Sequence, residues 1–241
     1  MEVPPREFLE RRKLISTGFM AEFPSTSWTM VLAAGADPSV DAQAALSDLC
    51  QAYWRPLHAY ILSRGYGADD ALDLTQEFFA CLIEKNYSAQ ADRERGRFRT
   101  FLLASVKHFL AAQARRTRAQ KRGGGGVPIP LDFELASAAS ATPAQVFDRR
   151  WALNVIDRAM AGLRNSPHFE SLKTYLTADD SNPAYSQLAA QLGITESALK
   201  TKIHRMRRRF GELLRSEIAQ TVESEEQIEE ELRYLFDVIS R

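Results

Sequence analysis

The sequence predicts an all-α fold of two helical domains joined by a flexible linker. Three observations point to it. Apolar residues recur at three- and four-residue steps through most of the chain, the signature of helices with one buried face. A glycine-rich, proline-containing stretch after Arg122 interrupts that pattern once. A short helix, a glycine turn and a basic second helix then follow near the C-terminus. With 241 residues and 45% hydrophobic content, the chain is long enough for one or two cores. Lys plus Arg and Asp plus Glu both number 31, so the net charge of +0 conceals the distribution. Basic residues crowd Arg93–Arg122 and Lys200–Arg215, whereas Glu217–Asp237 is acidic.

Residues 1–24 read as a disordered extension, or as an upstream misassigned start with Met20 as the true initiator. Trp28–Ala34 is a short apolar segment. From Asp41, Leu46, Leu49, Cys50, Tyr53, Trp54, Leu57, Tyr60 and Ile61 trace a helix that Pro56 is expected to bend or split. Arg64-Gly65-Tyr66-Gly67 ends it. A second helix starts at Asp69 or Asp70, with Ala71, Leu74, Phe78, Cys81 and Leu82 inward, Phe79 and Ile83 beside them, and Asp73, Gln76, Glu77 and Glu84 outward. Phe98, Phe101, Leu102, Val106, Phe109 and Leu110 give a third helix its apolar face; Arg99, Lys107, His108, Arg115, Arg118 and Arg122 occupy the others. Helical from Phe98 to Arg122, it spans about 37 Å. A merely solvated helix of this length would intersperse glutamate, and Glu94 is the only acid near the run; neutralisation of phosphates explains the pattern better.

Gly123 to Ala141 is the expected linker, with Leu131, Phe133 and Leu135 as docking points along it. Its four glycines precede no Gly-Lys-Ser/Thr, which excludes a nucleotide-binding P-loop. Thr142-Pro143 opens a helix in cap-then-proline order, faced by Phe147, Trp151, Val155, Ala159 and Leu163. Pro167–Leu176 reads as one more helix. In Tyr185–Phe210, Tyr185, Leu188, Ala189 and Leu192 face inward, Gly193 supplies the reversal, and Thr195 caps a second short helix with Glu196 in its first turn. Ala198, Leu199, Ile203, Met206 and Phe210 of that helix turn inward, and Lys200, Thr201, His204, Arg205, Arg207 and Arg208 turn outward. This is a helix-turn-helix with a basic reader helix. Past a break near Ser224, an amphipathic helix is expected whose acids pair with the basic helix before it. The domains are thus 25–122, 142–215 and an acidic helical extension, 216–241.

Other function classes find little support. Cys50 and Cys81 offer neither metal-ligand spacing nor a disulfide framework, and His58, His108, His168 and His204 are scattered. No apolar run is long enough for a signal peptide or a membrane span, which suits a cytoplasmic protein. No nucleophile–base pair, metal cluster or cofactor motif points to an enzyme.

The two basic modules across a linker resemble the extracytoplasmic-function sigma factors of bacterial RNA polymerase, specifically the long subgroup of acidobacteria and planctomycete type. DLTQEFF (Asp73–Phe79) resembles the polymerase-binding core of sigma region two, and GRFRTFLL (Gly96–Leu103) the entry to its promoter-reading helix. YSQLAAQLGITESALKTKIHRMRRRF resembles region four. The resemblance implies a promoter-specificity subunit without catalysis, metal or cofactor. Asp73, Gln76 and Glu77 would meet the largest-subunit clamp helices of core polymerase, and region four the flap. Arg97, Phe98, Arg99, Phe101, Lys107, His108, Arg115 and Arg118 would engage the minus-ten element. Lys200, Thr201, His204 and Arg205 would read the minus-thirty-five element, with Arg207 and Arg208 on phosphates. His108 and Ala112 depart from the residues common at their positions. Partners would be core RNA polymerase, promoter DNA and an anti-sigma or other regulator, with no membrane and no small-molecule substrate; the acidic extension is expected to stand in for a separate regulator. The rival readings are a stand-alone operator-binding regulator, which would need a dimerisation face, and a nucleic-acid enzyme.

Overall fold

The computed structural model describes residues 27–34, 39–84, 97–121, 141–176 and 184–241. The extension 1–24 and nearly all of the linker, with Leu131, Phe133 and Leu135, lie outside them. The described residues form nine α-helices and no strand. They are α1 (Ser27–Ala34), α2 (Val40–Ser63), α3 (Ala68–Glu84), α4 (Phe98–Lys121), α5 (Pro143–Leu163), α6 (Phe169–Leu172), α7 (Ala184–Gln191), α8 (Glu196–Ala219) and α9 (Glu225–Ser240).

Local chemistry sets most boundaries. Ser39 caps α2 by accepting from the Ala42 amide. Thr142 and Gln145 close a reciprocal capping box at α5, with Pro143 in the first turn. Ser224 accepts from the Gln227 amide and starts α9.

Of the two outcomes expected at Pro56, a bend or a split, the split does not occur: α2 runs through the proline. A proline ring has no N–H, so the carbonyl four residues earlier loses its helical donor. That carbonyl, Ala52 O, instead accepts from Asn154 Nδ2 of α5 at 2.7 Å. A side chain from another helix thus completes the ladder and lets α2 run on. Pro167–Leu176 departs as well: His168 sits at φ 61°, and α6 lasts four residues before a 3-10 turn at Lys173–Tyr175. A left-handed, non-glycine residue is a poor helix position, so the helix begins only after it.

Two apolar clusters form, and their division falls within α5 and α8. The larger joins α1–α4 to Phe147, Trp151 and Val155 of α5, to Leu214 and Ile218 at the end of α8, and to Ile228, Leu235 and Val238 of α9. At its centre Phe98 lies 5.0 Å, ring to ring, from both Trp28 and Tyr53. The smaller cluster holds the helix-turn-helix: Leu163, Phe169, Leu172, Tyr185, Leu188, Leu199, Ile203 and Met206. Cys50 is buried, and burial pushes its thiol up to about 12. Cys81 is only half-buried rather than enclosed.

The turn between α8 and α9 binds back to the first helices. Gln220 Oε1 accepts from Ser27 N at 3.1 Å and from Ser27 Oγ at 2.9 Å, while Gln220 O accepts from Trp28 N at 3.0 Å. Thr221 O accepts from Phe98 N at 3.0 Å. Amides that open α1 and α4, which no intrahelical carbonyl can reach, therefore find partners in this turn. Val222 beside them is fully buried.

Candidate nucleic-acid and polymerase interfaces

The helix-turn-helix is built by glycine and threonine. Gly193 takes φ 65°, a left-handed angle that a side chain would strain, and Ile194 N donates back to Ala189 O at 3.0 Å. Thr195 Oγ1 then accepts from Ala198 N at 3.2 Å and starts α8. This second helix is 24 residues long rather than short. Its buried stripe of Leu199, Ile203 and Met206 leaves Lys200, Thr201, His204, Arg205 and Arg208 exposed along one side. The acids missing from the basic run stand at its two ends. Lys200 pairs with Glu196 at 3.0 Å, and Glu212 meets Arg208 at 3.3 Å and Arg209 at 3.2 Å. Such exposed pairs are weak and exchange readily for other anions. Arg207 is placed differently from its neighbours: it is half-buried, and its Nε and Nη2 donate to Tyr175 O at 3.2 and 2.9 Å. That bond secures the 3-10 turn behind the reader helix.

On α3, Asp73, Gln76 and Glu77 are exposed on one face, as their spacing predicts. The same face carries Leu72, 42% exposed, and Ile83, 47% exposed. Sequence reasoning did not assign Leu72 and set Ile83 beside the inner stripe; the signal was their register with Asp73 and Gln76. Behind this face, buried Thr75 donates to Ala71 O at 2.6 Å, its Oγ1 3.4 Å from His58 Nδ1. The result is an acidic and amide surface with apolar flanks, suited to a basic partner surface.

The residues expected to meet the minus-ten element divide sharply. Lys107, His108 and Arg115 are exposed; Arg118 lies on the last turn of α4, outside the described side chains. Phe98 is 0% and Phe101 4% exposed, so in this arrangement neither ring has an open face for a base. Their spacing marked an apolar face and could not say what it packs on. Arg97 and Arg99 are engaged by carboxylates distant in sequence. Arg97 Nη1 reaches Glu231 at 2.9 Å, and its Nη2 meets Glu230. Arg99 Nη1 reaches Asp148 at 2.7 Å, while its Nε and Nη2 reach Glu231 at 3.1 and 2.9 Å. The Arg99 guanidinium carbon also lies 4.8 Å from the Trp151 ring centre and 4.4 Å from that of Tyr234. Tyr234 in turn donates to Asp148 at 2.7 Å. Burial by itself lowers the Arg99 guanidinium pKa, but the hydrogen bonds and charge of Glu231, with Asp148, more than reverse this and hold it above its ordinary value. Asp148, Trp151, Glu230, Glu231 and Tyr234 are therefore neighbours of these arginines that the sequence reading missed. Beside them an open cleft of about 320 Å³ is lined by Arg99, Thr100, Leu103, Ala104, Lys107, His108 and Asp148.

The ECF sigma factor family matches residues 63–216, more than half of the chain. The chain is an ECF sigma factor. No curated protein and no solved structure matches it. The match runs from the end of α2 into the second half of α8, and so covers the α3 surface, α4 and the helix-turn-helix. Its role is accordingly that of an RNA polymerase sigma factor in transcription initiation. The end of α8, the turn and α9 lie beyond the match. Among the described residues of this sigma factor, no helix is long and apolar enough to cross a membrane.

Proposed function

We propose that this ECF sigma factor, of the long subgroup, docks on core polymerase through α3 and directs it to promoters, reading the minus-ten element with α4 and the minus-thirty-five element with α8. The carrying observation is the pair of surfaces of unlike charge inside the family match: Asp73, Gln76 and Glu77 exposed on α3, and Lys200, Thr201, His204, Arg205 and Arg208 exposed on α8. Carboxylates and an amide in a row suit the basic clamp helices of the largest subunit. The exposed side of α8 suits a major groove, with His204 and Arg205 at base edges and Arg208 on phosphate. On α4, Lys107, His108 and Arg115 offer backbone contacts along a single strand whose bases are drawn out of the stack. The second helical domain meets the flap, the linker threads toward the active-site channel, and the protein works in the cytoplasm.

The test is co-purification with bacterial core polymerase of the wild type and Asp73→Arg. Asp73 is exposed, so the substitution leaves the fold in place. Retention of the wild type with loss of at least tenfold in the variant is expected, as a reversed charge at a complementary surface costs more than about 1.4 kcal/mol. Equal failure of both proteins would turn attention to a stand-alone operator-binding regulator.

A further inference from the structure

The C-terminal helix meets two arginines at the start of α4, the helix that the proposed function gives to DNA, and the inference rests on that reading. Ile228, Leu235 and Val238 seat α9 on the larger core. That seating sets Glu230 and Glu231 against the first turn of α4, where they meet Arg97 and Arg99. The Glu231 side chain is only 1% exposed and the Arg99 side chain 12%, so each charge depends on the other for compensation. Arg99 points Nε and both terminal nitrogens at carboxylates. These are the donors with which an arginine fork would grip a phosphate.

Position argues for more than a structural ion pair. Arg99 borders an open cleft lined also by exposed Lys107 and His108. Lys107 lies eight residues beyond Arg99, about 12 Å along the helix, a spacing that suits two non-adjacent phosphates of an extended strand. A strand following that side of α4 toward Arg99 would run into Asp148 and Glu231. The other flank of α9 is fastened to the reader helix, because Arg215 of α8 pairs with Glu225 at 3.0 Å and with Glu229. Thus α9 bridges both DNA-facing helices, and it lies outside the part of the chain that the family shares.

We propose that α9 is a built-in mimic of a nucleic-acid backbone: Glu230 and Glu231 occupy Arg97 and Arg99 in the free protein, and α4 gains these two phosphate contacts only when α9 is displaced. The exposed run of the reader helix, whose Lys200, Arg208 and Arg209 pair with acids of their own helix, is left open by α9.

The experiment compares full-length wild type, Glu230→Gln and the double variant Glu230→Gln/Glu231→Gln. Each is titrated with a fluorescein-labelled single-stranded oligonucleotide at a series of salt concentrations and read by fluorescence anisotropy. Glu230→Gln removes one of the two carboxylates on Arg97, which keeps Glu231, while the double variant leaves Arg97 without a carboxylate and Arg99 with Asp148 alone. The slope of log K against log salt therefore steepens by less than about 0.7 for Glu230→Gln and by about 0.7 or more for the double variant, with tighter binding at low salt in both. Glu230 is half-exposed, so Glu230→Gln keeps its fold and decides the matter should the double variant lose its far-UV circular dichroism. Unchanged affinity and slope in a folded variant overturns the proposal, since a neutral amide no longer competes for the arginines. Co-purification of the same proteins with core polymerase separates the two readings. Retained polymerase binding with unchanged oligonucleotide binding removes the cover and leaves the sigma assignment standing. Loss of polymerase binding in the wild type removes both.

Discussion

The two basic segments look alike in sequence and are unlike in structure. Arg97 and Arg99 on α4 and Lys200 to Arg208 on α8 both sit on helices with a clean apolar stripe. Arg97 and Arg99, however, meet acids more than 130 residues away, in a partly enclosed site where Arg99 also lies against two aromatic rings. Lys200, Arg208 and Arg209 meet acids three or four residues away, in water. The same residue type is therefore part of the architecture in one place and an available charge in the other. The difference lies in the partner's position along the chain and in the dielectric around the pair.

The contrast can be broken at its strongest point. Glu231→Ala removes an enclosed carboxylate shared by two arginines, and a loss of about 3 kcal/mol is expected from urea unfolding, as for other broken buried pairs. A loss below about 1 kcal/mol would place this site with the surface pairs. The next test bears on the scaffold that aligns the site. Asn154→Ala leaves the Ala52 carbonyl without its donor beside Pro56, and about 1–2 kcal/mol should disappear. Full stability in that variant would show that α2 needs no help across its proline. The smallest effect belongs to the reader helix. Glu212→Ala should cost no more than about 0.5 kcal/mol, and 1 M salt should erase the cost, because the pairs with Arg208 and Arg209 are exposed.

Legibility in the sequence divides along the same line, between near and distant partners. Thr142 with Pro143, Gly193 with Thr195, and the break at Ser224 were all legible, because each boundary is decided within four residues of itself. The outward row Asp73, Gln76, Glu77 was legible for the same reason: a helix of known register has a known outside. That α2 would continue unsplit through Pro56 was not legible, because the donor that completes the helix is Asn154, 98 residues further along the chain. The carboxylates around Arg97 and Arg99 were not legible because Asp148, Glu230 and Glu231 approach only through folding. The acidity of the extension was plain, and its pairing with the preceding helix through Arg215 agrees with expectation. Its reach to α4 was hidden, since composition records how much charge there is and not where it docks. Nor is the extension a detachable piece from Ser216 onward. Removing it there would take away Gln220 and Thr221, and with them the partners of the Ser27, Trp28 and Phe98 amides.

That turn also orders events during synthesis. The ribosome releases α1 and α4 long before residues 220–222, so their opening amides must wait, hydrated, while the intervening chain is made. Hydrogen bonds between residues 27 and 220 span 193 positions, and contacts of such separation are among the slowest to form. A nascent chain halted between the end of the family match and Gln220 carries every residue of that match and still lacks the closure of its first helices. Synthesis through this turn thereby becomes a condition for closing the starts of α1 and α4.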